Sequence, residues 1–432
     1  MAKDNLPRVV VIGSGWVGLY VAQYLDTTRY SLSVVSPRLT SAYTPLLASA
    51  ACSLFPFSCA EESIRAKGRR CNLIKANAIE IDFCSNQILC EPAFDDHDSN
   101  ASDQQFRVAY DRLIICPGCQ TNDFGIPGVV EHAMFMKHVS DAMALRKKLL
   151  DQFERASLPC TTREDACDML HIAIVGGGPT GVEITAELSD LARRELKDLY
   201  PDVAPSMRIT IYDVAPHILG AYDQKLYEYA TEQMLQRGIE IVTNAVIERV
   251  DRTNLYIKGQ NPVPYGILLW VAGNRSIPLV DKLDVKKPEH GLIRILTDDS
   301  LRVKKASTDV HGHSDVYPDV FALGDAADIE GRSLPTTAEV AVQKAKYIVR
   351  RLNRGATATE NFAYADKRLV TYIGSHDGII EGSGLDEASR GQRAWLDWRS
   401  GSFTWTRTWR NWVGLICAYV LNALFGRDFM RL

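Results

Sequence analysis

Arg8-Val-Val-Val-Ile-Gly-Ser-Gly-Trp-Val-Gly18 opens the chain's first readable element. Arg8–Ile12 is short, β-branched and without alternation, which predicts a strand buried on both faces of a parallel sheet. Gly13, Gly15 and Gly18 follow at once, and an apolar stretch through Leu25 reads as a helix. Each glycine has a separate task in a strand–turn–helix of this kind. The first permits the tight turn, the second lets a pyrophosphate reach the backbone, and the third lets helix and strand pack closely. The phosphates then meet free N–H groups at the helix amino terminus. Ser31–Val35 supplies the next strand.

The same device returns at His171-Ile-Ala-Ile-Val-Gly-Gly-Gly-Pro-Thr-Gly-Val-Glu183. Gly176, Gly178 and Gly181 repeat the spacing, and the strand Arg208–Tyr212 ends at Asp213. A carboxylate there is placed to bind ribose hydroxyls and to reject a 2′-phosphate, which predicts NAD-type binding. The first unit carries Ser36-Pro37-Arg38 where an acid would stand. The Ser36 hydroxyl can serve a ribose and Arg38 an adenine. One nicotinamide dehydrogenase needs one cradle, whereas a flavin reductase needs two. The internal duplication therefore predicts an α/β protein with two Rossmann-like dinucleotide-binding domains, one for FAD and one for NADH.

The rest of the chain bounds the alternatives. It has 432 residues, 46% apolar and 24% charged, enough for more than one core. The net charge is −4, and no basic run supports a nucleic-acid partner. Ten cysteines lie without histidine pairing, so no metal site and no disulfide framework is expected. Met1–Pro7 holds no secretory signal and no presequence pattern. Asp95–Gln105 reads as a solvated hairpin loop, Leu113–Ile115 as a strand, and Ile239–Val242, Leu268–Val271 and Val320–Leu323 as further strands. The last of these ends at Gly324-Asp325. Cys116-Pro-Gly-Cys119 has the form of a redox pair, with a coincidental spacing as the alternative.

The carboxyl end differs in character. Trp395, Trp398, Trp405, Trp409 and Trp412 alternate with Arg399, Arg407 and Arg410. Trp412–Phe425 is apolar yet shorter than the roughly twenty residues needed to span a bilayer core. Interfacial docking is the expectation, since tryptophan and arginine suit headgroups. A dimerisation surface or a core strip is the alternative, and deleting Asn411–Leu432 is expected to free the protein from membranes.

Several stretches together resemble the type II (alternative) NADH:quinone oxidoreductases over nearly the whole chain. They are Val34–Arg38, Tyr43–Leu47, Gln120–Asn122, Phe124–Gly128, Gly176–Glu183, Phe321–Asp325, Tyr372–Gly374 and Leu424–Asp428. The resemblance implies that the NADH domain is inserted in the FAD domain: FAD domain over 1–165 and 286–380, NADH domain over 166–285, docking segment over 381–432. It implies that Gly13, Ser14, Gly15, Gly18, Ser36, Arg38, Thr44, Gly118 and Asp325 hold FAD. Gly176, Gly178, Gly181, Asp213 and Gly273 would bind NADH, with Glu183 near the nicotinamide. The quinone motif aligns with Ala338–Gln343, with Glu339 replacing its first glutamine and Gln343 kept. An ionised Glu339 can only accept hydrogen bonds. That leaves open a related flavoenzyme that reduces oxygen or a biosynthetic intermediate instead of ubiquinone. Peripheral attachment to the mitochondrial inner membrane, in a eukaryote, and a homodimer are further implications.

Overall fold

The computed structural model describes residues 6–94, 104–306, 315–355, 360–365, 367, 369–382 and 390–431. The tip of the expected loop Asp95–Gln105 lies largely outside these; its flanks, Gln87–Pro92 and Phe106–Ala109, pair antiparallel as a hairpin requires. Two compact units emerge: 1–42, 62–120 and 274–366 form the first, and 43–61, 121–273 and 367–432 the second. The second thus interrupts the first in sequence.

In the first unit, Val316–Ala322, Arg112–Ile115, Arg8–Ile12, Ser31–Ser36 and Asn72–Asp82 lie side by side and parallel at the centre of a ten-stranded sheet. The reason is the one read from sequence: Val9, Val10, Val11 and Ile12 are all buried, so both faces need cover. Val10, Ile12, Leu113, Ile115 and Val320 belong to one apolar core. The helices Trp16–Tyr24 and Ala338–Arg354 both lie in this unit.

In the second unit, Glu240–Val242, Arg208–Tyr212, His171–Val175 and Ile267–Trp270 form an all-parallel sheet of four strands. The strand after Gly238 begins one residue later than predicted, at Glu240, and the strand predicted to reach Val271 ends at Trp270. Helix Pro179–Leu191 follows the glycines.

Compactness divides the chain at places other than the predicted boundaries. The helix Val139–Ala156, expected with the first part of the FAD domain, belongs to the second unit, where Phe153 packs on Tyr200 with ring centroids 5.0 Å apart. Gln152 Nε2 donates there to the carbonyls of Met169 and Gly266, both at 3.1 Å. The carboxyl-terminal helices Gln392–Trp405 and Trp409–Phe425 also join that unit rather than standing apart. Among the described residues, no helix is long and apolar enough to cross a membrane.

Candidate functional site

The three glycines of each cradle occupy three different environments. Gly13 has φ +107°, and a Cβ there would meet the carbonyl of Cys116 on the neighbouring strand end. Gly18 backs onto the carbonyl of Gly13, while Gly15 has nothing within 4 Å of where a Cβ would sit. The second cradle reproduces this. Gly176 has φ +115°, Gly181 backs onto the Gly176 carbonyl, and Gly178 faces open space within 4 Å. Gly15 and Gly178 are also the amino-terminal caps of their helices, and neither helix receives a side-chain cap bond. Each cradle therefore offers open room at a helix amino terminus, which fits a pyrophosphate.

Around the first cradle, Ser36 Oγ donates to Ser14 Oγ at 2.9 Å, and Ser14 Oγ donates to the carbonyl of Thr40 at 3.2 Å. The backbone N–H of Arg38 donates to Ser36 Oγ at 3.1 Å, while its side chain is exposed. The structure thus brings Ser14, Ser36 and the backbone of Arg38 together. Asp325 follows Gly324, whose φ of +71° turns the chain out of its strand. Cys119 Sγ donates to Asp325 Oδ2 at 3.4 Å. Thr44 opens the short helical turn Thr44–Leu46.

All ten cysteines are free thiols. Cys116 is buried with Sγ 3.9 Å from the carbonyl of Gly13, and burial pushes its thiol far up, away from a reactive thiolate. Gly118, by contrast, has φ +78°, a conformation that suits glycine. The motif is a turn beside the first cradle.

Around the second cradle, Asp213 Oδ2 accepts the backbone N–H of Gly177 at 2.5 Å and Oδ1 accepts that of Ala215 at 2.8 Å. The carboxylate anchors the glycine loop and keeps lone pairs for a ribose. Gly273 has φ +70°, and a Cβ there would come within 2.5 Å of the Phe124 ring. Any side chain at 273 would displace that ring.

Glu183 lies in the first turns of helix Pro179–Leu191. Trp398 Nε1 donates to its Oε1 at 2.9 Å. Glu183 is partly exposed, yet enough protein crowds the carboxyl that desolvation raises its pKa to about 8. The Trp398 hydrogen bond and the Tyr372 backbone work against that rise, and Glu187 adds to it. The acid is therefore largely uncharged at neutral pH.

Glu339 and Gln343 do share a helix face: Gln343 Nε2 donates to Glu339 Oε1 at 2.8 Å and to the carbonyl of Ala365 at 2.9 Å. Sequence reading missed the neighbouring Lys344, which is 1% exposed with Nζ 3.4 Å from the Ala327 carbonyl. Burial lowers its pKa to about 8. It also missed the buried acids Glu187 and Asp190. Their spacing from Glu183 on one helix, together with the fit of that face to the core, was the available signal.

The carboxyl end divides into buried and exposed side chains. Trp398 is 2% exposed and is a core residue. The Arg427 side chain is buried and paired with Glu187. Arg399 stacks over Tyr419, 4.5 Å from the ring centroid. The helix Trp409–Phe425 nonetheless exposes Trp409, Val413, Ile416, Val420 and Leu424, an apolar stripe at helical spacing.

Comparison with known proteins agrees in kind. The sequence profile described as pyridine nucleotide-disulphide oxidoreductase matches residues 7–345. A Dictyostelium discoideum protein named "Probable NADH dehydrogenase" is 31% identical over 428 residues, covering 98% of this chain and 90% of that protein. An internal alternative NAD(P)H-ubiquinone oxidoreductase A1, mitochondrial, of Solanum tuberosum is 32% identical over 460 residues, covering 100% of this chain and 89% of the relative. In fold, the chain is similar to NDH2 of Plasmodium falciparum solved with NADH, at TM-score 0.87 and 24% identity, covering 98% of this chain and 100% of that one.

Proposed function

We propose that this chain, which belongs to the pyridine nucleotide-disulphide oxidoreductase family and within it to the type II NADH dehydrogenases, is an FAD-dependent NADH:quinone oxidoreductase that pumps no protons. The observation that carries the reading is the pair of glycine cradles, each with one glycine at positive φ, one closely packed glycine and one left open for a phosphate. FAD, when bound, supplies the chemistry, accepting a hydride from NADH and passing two electrons to the quinone.

The chain's own residues bind and orient. Gly13, Gly15, Gly18, Ser14, Ser36, Arg38, Thr44, Gly118 and Asp325 are assigned to FAD. Gly176, Gly178, Gly181, Asp213 and Gly273 are assigned to NADH. Asp213 holds the cradle through the Gly177 N–H and presents negative charge that disfavours a 2′-phosphate. Glu183 serves the nicotinamide side. Burial raises its pKa to about 8 and so favours the uncharged form there. Glu339 and Gln343 are assigned to the quinone side as one hydrogen-bonded unit.

A non-quinone acceptor is not favoured, because the relative from Solanum tuberosum is named for ubiquinone over the whole length of this chain. The exposed stripe on Trp409–Phe425 supports peripheral docking to a membrane, and the mitochondrial relatives point to the mitochondrial inner membrane. The test is anaerobic: NADH should bleach the flavin of the purified protein, and a short-chain ubiquinone should restore the colour faster than oxygen does. A folded protein without flavin, or one reoxidised no faster by the quinone, overturns the assignment.

A further inference from the structure

We propose that Trp398 is a positioning residue for Glu183, so that the helix Gln392–Trp405 completes the nicotinamide side of the site and is more than a link to a docking segment. This rests on the assignment of Glu183 made above. The indole N–H of Trp398 donates to Glu183 Oε1 at 2.9 Å. A carboxyl next to a nicotinamide must hold its direction, and a fixed donor restricts its rotation about the last side-chain torsion.

The donor is itself fixed. The indole stacks on Tyr372, with ring centroids 4.9 Å apart and planes 21° from parallel. The Tyr372 hydroxyl donates to Asp190 Oδ2, and Asp190 pairs with Arg237 at 2.5 Å. Arg399 lies over Trp398 at 5.9 Å and over Tyr419 of the last helix at 4.5 Å. A phenylalanine at 398 would keep the stacking but not the N–H, so stacking alone does not account for the indole.

The other titratable and charged groups facing this place are Glu187 on the same helix, Tyr222 and Tyr372, with Asp190, Arg399, Arg427 and Glu381 beyond them. Among the described residues, Trp398 alone donates a side-chain hydrogen bond to Glu183, beside the backbone of Tyr372. A hydrogen bond given to a carboxyl favours its charged form.

The experiment follows the protonated carboxyl of Glu183 by infrared difference spectroscopy in the flavin-loaded chain, with the band assigned by its loss in Glu183→Gln. In Trp398→Phe its titration midpoint should move up by about one pH unit, and flavin reduction by NADH should slow while the KM for quinone stays unchanged. An unmoved midpoint overturns the proposal, as does a moved midpoint with an unaltered reduction rate. If Trp398→Phe does not fold, the indole N–H marker in ultraviolet resonance Raman difference spectra between the unaltered chain and Glu183→Ala decides. A weaker hydrogen bond in the variant is expected, and identical spectra overturn the proposal. Failure of the functional assignment shows separately, as no flavin reduction by NADH in the unaltered chain, because the infrared midpoint needs no turnover.

Discussion

Arg427 Nη1 lies 3.2 Å from Glu187 Oε2, and the two side chains are 7% and 1% exposed. Arg427 also donates to the carbonyl of Cys52 at 3.1 Å, and Ser49 Oγ donates to the other oxygen of Glu187 at 2.7 Å. The final residues of the chain are thus keyed into the core of the second unit. Removing one partner of such a pair leaves a buried charge without compensation.

Arg427→Ala is therefore expected to lower stability by about 3–5 kcal/mol, and Glu187→Gln combined with Arg427→Met to recover much of it. Urea unfolding of the three proteins checks this. Deleting Asn411–Leu432 should destabilise the fold in the same way rather than give a merely detached soluble form. Wild-type unfolding behaviour in the deletion variant would contradict the pairing.

Membrane attachment is better tested by point changes on the exposed stripe. Ile416→Glu with Val420→Glu places two charges where both side chains are about half exposed and leaves buried Leu415 and Ala418 untouched. Flotation with anionic vesicles should weaken about tenfold, as expected when apolar contacts with the interface give way to charge. NADH oxidation with a water-soluble quinone should be unchanged.

The cradle glycines should separate binding from folding. Gly178→Val fills open space, so the fold should persist while calorimetric NAD+ affinity falls by roughly tenfold or more. Gly181→Ala meets the Gly176 carbonyl, so its effect should appear first as about 1–3 kcal/mol of lost stability. The reverse pattern would place the pyrophosphate elsewhere.

Asp213 ties its charge to the loop that it also serves. Asp213→Asn keeps an acceptor for the Gly177 N–H but loses the charge. The preference for NADH over NADPH, measured as the ratio of kcat/KM values, should fall about tenfold, with stability nearly unchanged. An unaltered ratio would move the specificity to another residue.

Glu183 also makes stability depend on pH. Its folded pKa of about 8 exceeds the ordinary 4.5, so the folded state holds a proton that the unfolded chain releases. Stability from this group is fully present below about 4.5 and declines as pH rises through about 8. Unfolding at pH 5.5 and 8.5, as values within and beyond that window, should show a smaller decline in Glu183→Gln, which has no proton to lose. Parallel declines in both proteins would assign the effect to other groups.

What the chain states locally is clear from its sequence. The buried strands Arg8–Ile12 and His171–Val175, the two glycine turns and the acid at the end of Arg208–Tyr212 were all legible, because period, turn geometry and spacing act over a few residues. Glu339 and Gln343 were legible for the same reason, four residues apart on one helix. Trp398 and Glu183 lie 215 positions apart, and Arg427 and Glu187 lie 240 apart. No window joins such pairs, and the same tryptophans and arginines would satisfy a membrane surface equally well. Only tertiary packing decided which of them turn inward: Trp398 and Arg427 bury their polar groups against Glu183 and Glu187, while Trp409 and Ile416 stay outside.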